Sequence, residues 1–79
     1  MPIYEVIMEL EAIGKAIQSR RKLLKLVQGD LAEIAGISPR TLRDIERGTA
    51  NPSLETLLKI VTVLGMEIKI EIMKMGAVK

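Results

Sequence analysis

The stretch Gln28-Gly29-Asp30-Leu31-Ala32-Glu33-Ile34-Ala35-Gly36-Ile37-Ser38-Pro39-Arg40-Thr41-Leu42-Arg43-Asp44-Ile45-Glu46-Arg47-Gly48 decides how this chain folds. Leu31, Ile34 and Ala35 recur at helical spacing in its first half, and Leu42 and Ile45 do so in its second. Gly36 stands just past the first helix, where a residue without Cβ adopts the left-handed conformation that ends a helix. Ser38 is placed to cap the second helix with its hydroxyl, and Pro39 then falls on the first helical position, where its missing N–H costs nothing. Gly48 ends the second helix as Gly36 ends the first. Ala32 is small where the two helices must approach. The spacing therefore predicts two short helices, at about 28–35 and 39–47, joined by a tight turn.

Upstream, Leu10, Ile13, Ile17 and Leu24, with Ala16 between, make an amphipathic helix from about Glu9 to near Lys25. Gly14 inside it costs roughly 1 kcal/mol against Ala, and Arg20, Arg21 and Lys22 lie on its last turns, where cations suit the helix dipole. Residues 1–8 read equally as a strand, as helical turns or as an arm. Downstream, Gly48-Thr49-Ala50-Asn51-Pro52 is a loop. Ser53 caps a fourth helix whose buried stripe is Leu54, Leu57, Leu58, Val61 and Leu64, and Gly65 stops it. Beyond Gly65 the period changes to two: Ile68, Ile70 and Ile72 alternate with Glu67, Lys69 and Glu71, the pattern of a half-buried strand. A lone strand cannot satisfy its own backbone groups. It must pair with the N-terminal segment or with the same strand of a second copy, and exchange across a two-fold axis is favoured. Met73, Met75 and Lys79 read as a fraying tail.

Exchange would also answer a size problem. A chain of 79 residues buries only about 60% of its unfolded surface, so small domains lean on staples or partners. There are no cysteines to bridge and no histidines, which makes a zinc site improbable. No cofactor or metal is expected, and with no cysteine, no histidine and no glycine-rich phosphate loop the enzyme inventory is poor. The N-terminus lacks the basic start of a signal peptide. No apolar run approaches the roughly 18 residues of a membrane span, and cysteine-free composition fits a reducing cytoplasm.

The net charge is only +2, but it is unevenly spread. Residues 15–47 hold eight bases against four acids, whereas residues 1–14 hold three acids and no base. That distribution suits a surface facing phosphates, or simply a solvated face. A helix fits the major groove of duplex DNA and reads base edges with its early residues. On the second helix of the pair those outward positions are Pro39, Arg40, Arg43 and Asp44. An Arg donates two bonds to guanine. Asp44 can accept from cytosine, orient Arg40 or Arg43, or form an intrahelical ion pair with Arg40. Thr41 can reach a phosphate, and Gln28 with the free N–H groups of its helix start can hold another. Arg47 and Thr49 can grip the backbone, Arg47 otherwise being a surface charge at a helix end. Ser38 completes this DNA-facing set.

Residues 20–65 resemble the Cro/repressor (XRE) family of helix-turn-helix proteins. The matching residues are Gln28, Leu31-Ala32, Ala35-Gly36, Ser38, Thr41-Leu42, Ile45-Glu46-Arg47-Gly48, Asn51-Pro52-Ser53-Leu54-Glu55-Thr56-Leu57-Leu58-Lys59-Ile60 and Leu64-Gly65, in one register without a gap. The resemblance implies that Gln28 contacts phosphate and that Arg40, Thr41, Arg43 and Asp44 face DNA. It also implies an internal ion pair between Arg21 and Glu46, for Glu46 would be too costly to bury alone. Three departures stand out. Val27 replaces a capping Thr, Gly29 loosens the same turn, and Pro39 replaces a polar reader.

The expected fold is therefore mainly α: a lambda-repressor-like bundle of four or five helices with a C-terminal β-strand pairing across a dimer. Residues 1–65 are expected to form the DNA-binding part and residues 66–79 the strand and tail that dimerise, within one domain. A short strand after such a core resembles the HipB-type antitoxins, which implies a HipA-like kinase toxin as a partner. The function expected is transcriptional repression by a homodimer on a palindromic operator. The competing reading is a protein–protein module in which the helices are scaffold and the strand adds to a partner's sheet.

Overall fold

The computed structural model describes residues 3–71 and holds four helices among them: α1 (Ile3–Leu23), α2 (Gln28–Ala35), α3 (Pro39–Arg47) and α4 (Leu54–Val63). Helix α3 packs between α1 and α2, and α4 packs on the other flank of α2. Ile17 from α1, Leu31, Ala32 and Ala35 from α2, Leu42 and Ile45 from α3, and Ile60 with Leu64 around α4 form one core. Ala32 is fully buried, as its small size at the helix contact anticipated.

The helix boundaries follow from local chemistry. Ser38 Oγ accepts from the Thr41 N–H at 3.0 Å, with Pro39 at the first position of α3. Ser53 Oγ caps α4 in the same way through Thr56 at 3.1 Å. Gly36 (φ 75°) and Gly48 (φ 77°) close α2 and α3 in the left-handed region. The Ile37 N–H returns to the Ala32 carbonyl at 2.9 Å, a pairing of the kind that satisfies a helix's last acceptors. Val27 precedes α2 with an extended backbone and no side-chain cap, so the first N–H groups of α2 carry no side-chain partner there.

The structure corrects four expectations. Helix α1 begins at Ile3 rather than near Glu9. Gly14 does more than weaken α1. A Cβ there would clash with the Ile45 carbonyl oxygen and lie 2.7 Å from the Glu46 carbonyl oxygen, so glycine is what lets α1 touch the backbone of α3. Four residues assigned to buried stripes are open: Leu24, Ile34, Leu54 and Leu58. Finally, residues 66–71 form no strand in the single chain. Ile68 is exposed and Ile70 is 95% exposed, and Ile72 lies outside the described residues. An unpartnered segment has no ladder to join. Because the N-terminal segment is helical from Ile3, it cannot supply one.

Candidate nucleic-acid interface

Helix α3 sorts its side chains by face. Leu42, Ile45 and Glu46 are buried, while Arg40, Thr41, Arg43 and Arg47 are exposed and Asp44 is half-buried. Arg40, Arg43 and Arg47 fall at i, i+3 and i+7, so three guanidinium groups share one side. Ser38, Pro39 and Thr49 are exposed at its two ends. No ion pair joins Asp44 to Arg40 or Arg43, so the intrahelical pairing weighed from the sequence is not formed and both arginines are unengaged by it.

The hydroxyls at the two ends differ in what they still offer. Ser38 Oγ donates to Thr41 Oγ1 at 2.8 Å, which leaves the Thr41 hydroxyl proton free for an outside acceptor. Thr49 Oγ1 donates to the Asp44 carbonyl at 3.1 Å, and the Thr49 N–H uses the same oxygen at 3.0 Å. The Thr49 proton is thus committed to closing α3, and a phosphate would have to displace that bond.

Beneath α3 lies a buried charge network. Arg21 Nε donates to Glu46 Oε2 at 2.7 Å and Nη2 donates to Oε1 at 3.0 Å. Arg21 Nη1 donates to the Leu26 carbonyl at 2.8 Å. Bonding to the Glu46 carboxylate raises the Arg21 pKa above its ordinary value, against a smaller opposing effect of burial and with the charge attraction adding to it. Glu46 Oε1 accepts a second bond, from Gln28 Nε2 at 2.9 Å. The network pins the start of α2 to the buried side of α3. It also orients the Gln28 amide, which keeps one N–H and its carbonyl oxygen for another partner. With α2 uncapped at Val27, the first N–H groups of α2 also lack a side-chain acceptor. Asp30 sits in the same turn and opposes an anion there.

Two further contacts hold α3 against α1. One is the close approach at Gly14. The other is Gly48, where a Cβ would lie 2.7 Å from Glu11 Cγ and 2.8 Å from Glu11 Cα. The sequence held a signal for both, a glycine in mid-helix and a glycine at a helix end, but gave no hint of which helix each would touch. The basic cluster also divides. Arg20 Nε donates to the Leu64 carbonyl at 2.9 Å and ties the end of α4 to α1, and Arg21 is neutralised by Glu46. Only Lys22 of the three is exposed without such a role.

An exposed cationic side on a short helix, carried on a second helix with an open start, is the surface of a helix-turn-helix protein. Residues 17–70 match the helix-turn-helix family, and the chain belongs to that family in its Cro/repressor (XRE) form. An immunity repressor protein of Bacillus phage phi105 is 45% identical over 56 residues, which are 71% of this chain and 39% of that protein. Multiprotein-bridging factor 1 of Candida albicans is 36% identical over 58 residues, 73% of this chain and 38% of that protein. The match therefore spans well under half the length of these curated relatives. Among solved structures, the restriction-modification controller protein C.AhdI of Aeromonas hydrophila superposes with a TM-score of 0.73 at 32% identity, covering 76% of this chain and 91% of that one. The clp gene regulator ClgR of Corynebacterium glutamicum gives 0.70 at 35% identity, covering 72% and 61%. Among the described residues no helix is long and apolar enough to cross a membrane.

Proposed function

We propose that this chain is a sequence-specific DNA-binding repressor that acts in the cytoplasm as a homodimer on a palindromic operator. The observation that carries this is the open row Arg40, Arg43 and Arg47 on α3, whose opposite side is fixed by the Arg21–Glu46–Gln28 network. The N-terminal part of α3 enters the major groove, with Arg40 and Arg43 on base edges. Asp44, without an ion pair among the described residues, accepts from a cytosine or orients a neighbouring guanidinium once DNA is present. Pro39 offers only shape or apolar contact. Thr41, Gln28, Arg47 and, after giving up its bond to Asp44, Thr49 serve the phosphates, with Ser38 holding Thr41 in place. The names of the relatives, an immunity repressor and a controller protein, support regulation as the task.

Two copies would place one α3 in each half-site, about one helical turn apart. Ile68, Ile70 and Ile72 would form the exchanged strand. A narrower version makes the chain a HipB-type antitoxin with a HipA-like kinase toxin as partner, and its support is the alternating isoleucines alone. Selection of bound duplexes from a random pool, followed by the mass of the complex, tests the proposal. The expected result is a two-fold symmetric sequence bound by two chains, and recovery of no preferred duplex overturns it.

The second reading, a protein–protein module, has support in the name of the multiprotein-bridging relative and in the exposed Ile70. Salt separates the two. Binding through phosphates falls steeply as salt rises, whereas strand addition does not.

A further inference from the structure

Ile34, Leu54 and Leu58 belong by their spacing to buried stripes, yet the folded chain leaves them 62%, 57% and 45% exposed. They do not stand singly. With Ala35, Thr62 and Val63 they line one open groove of about 670 Å³ between α2 and α4. Scattered exposed aliphatics are ordinary, but a contiguous apolar patch marks a surface that something covers. Among the described residues its charged lining is Glu55 and Lys59, one turn apart on α4 and 3.9 Å from each other.

We propose that this groove is covered by a second copy of the same chain, with the two α4 helices packed antiparallel across a two-fold axis beside Leu58. The charge order argues for this occupant. In an antiparallel pair centred between Glu55 and Lys59, each Glu55 faces the partner's Lys59, and this happens twice. A parallel pair would set like charges opposite each other. A strongly acidic or basic partner would be attracted by one of the two residues and repelled by the other. In that register Leu58 stands one residue from the centre, so it lies beside the partner's Leu58 near the axis, and Leu54 comes within one turn of the partner's Thr62. A two-fold contact of this kind uses one patch twice and must be complementary to itself, and this patch is. None of Arg40, Arg43 and Arg47 lines the groove, so closing it leaves the cationic side of α3 open.

The inference rests on the homodimer in the proposed function but not on its DNA contacts, so its test uses the protein alone. Sedimentation equilibrium at low ionic strength is run on the full chain, on Glu55→Lys, on Lys59→Glu and on an equimolar mixture of the two variants. Each variant alone brings two like-charge contacts together and should raise the dimer dissociation constant roughly tenfold or more. The mixture should recover tight association, because in the mixed dimer both contacts are again between opposite charges. Leu58→Lys, at a half-exposed site, should keep the helical circular dichroism spectrum of the unaltered chain and give monomers. Failure of the mixture to associate more tightly than either variant overturns the inference. So does a Leu58→Lys protein that stays dimeric. If Ile70→Pro gives monomers while Leu58→Lys does not, the C-terminal strand holds the dimer instead, and the homodimer survives without this surface.

Discussion

The two sides of α2 are finished to different degrees. On one side, α3 is seated on α1 by backbone-to-backbone approach at Gly14, by Gly48 against Glu11, and by a carboxylate that receives three hydrogen bonds. No buried side-chain polar atom among the described residues lacks a partner. On the other side, α4 meets α2 through Ile60 and Leu64 but leaves Leu54, Leu58 and Ile34 in the open. The two surfaces therefore find their complements in different places. The inner face of α3 is completed within the chain, which fixes its outer face as a rigid cationic edge. The outer face of α4 is apolar and awaits a second body.

The largest effect should come from breaking the finished side at its charge. Arg21→Met leaves Glu46 buried with only Gln28 for company and should cost about 3–5 kcal/mol, read as a lower urea midpoint. For a small domain that is a large part of the total. The pH dependence follows from the sign of the shift. The Arg21 pKa is raised in the folded chain, so its contribution is complete below the unfolded value and is lost only as pH climbs through the higher folded one. Stability measured between about pH 6 and pH 9 should therefore show no step from this residue.

A smaller effect, with a contest of signs, should come from Gly14→Ala. Helix propensity alone favours the change by about 1 kcal/mol. The added methyl would press on the Ile45 and Glu46 carbonyls, which belong to backbone and cannot swing aside. Overpacking of that kind costs about 1–3 kcal/mol, so the clash should win and the midpoint should fall. The same displacement moves α3 relative to α2, so specific DNA binding should weaken more than stability alone accounts for. A rise in stability would mean that α1 and α3 part easily, and the contrast between the two sides of α2 would blur.

Much of this was open to reading in the residues. Ser38, Pro39, Ser53, Gly36 and Gly48 carry their own stereochemistry, so α2, α3 and the start of α4 could be placed to the residue. Exposure of Arg40 and Arg43 follows from the position of Leu42 and Ile45 on the opposite side. The Arg21–Glu46 pair was implied by family resemblance, because partners 25 positions apart leave no trace in spacing. The bond from Gln28 to Glu46 was not anticipated at all. It needs the start of α2 to meet the end of α3, which is a fact of packing. Gly14 was misread for the same reason: helix propensity counts only its own helix. Ile34, Leu54 and Leu58 show the matching limit of periodicity. An apolar stripe announces that a face will be covered, but not that the same chain will cover it.

The most direct test of the central claim, that the outer side of α3 reads DNA, is the affinity of the full chain and of Arg43→Ala for the selected duplex across a salt series. Log K should fall steeply and linearly with log salt for both proteins. Arg43→Ala should bind the selected sequence more weakly by about 1–3 kcal/mol and lose preference at one base pair. Binding that ignores salt, or an Arg43→Ala protein that reads the same sequence with the same affinity, would contradict that claim.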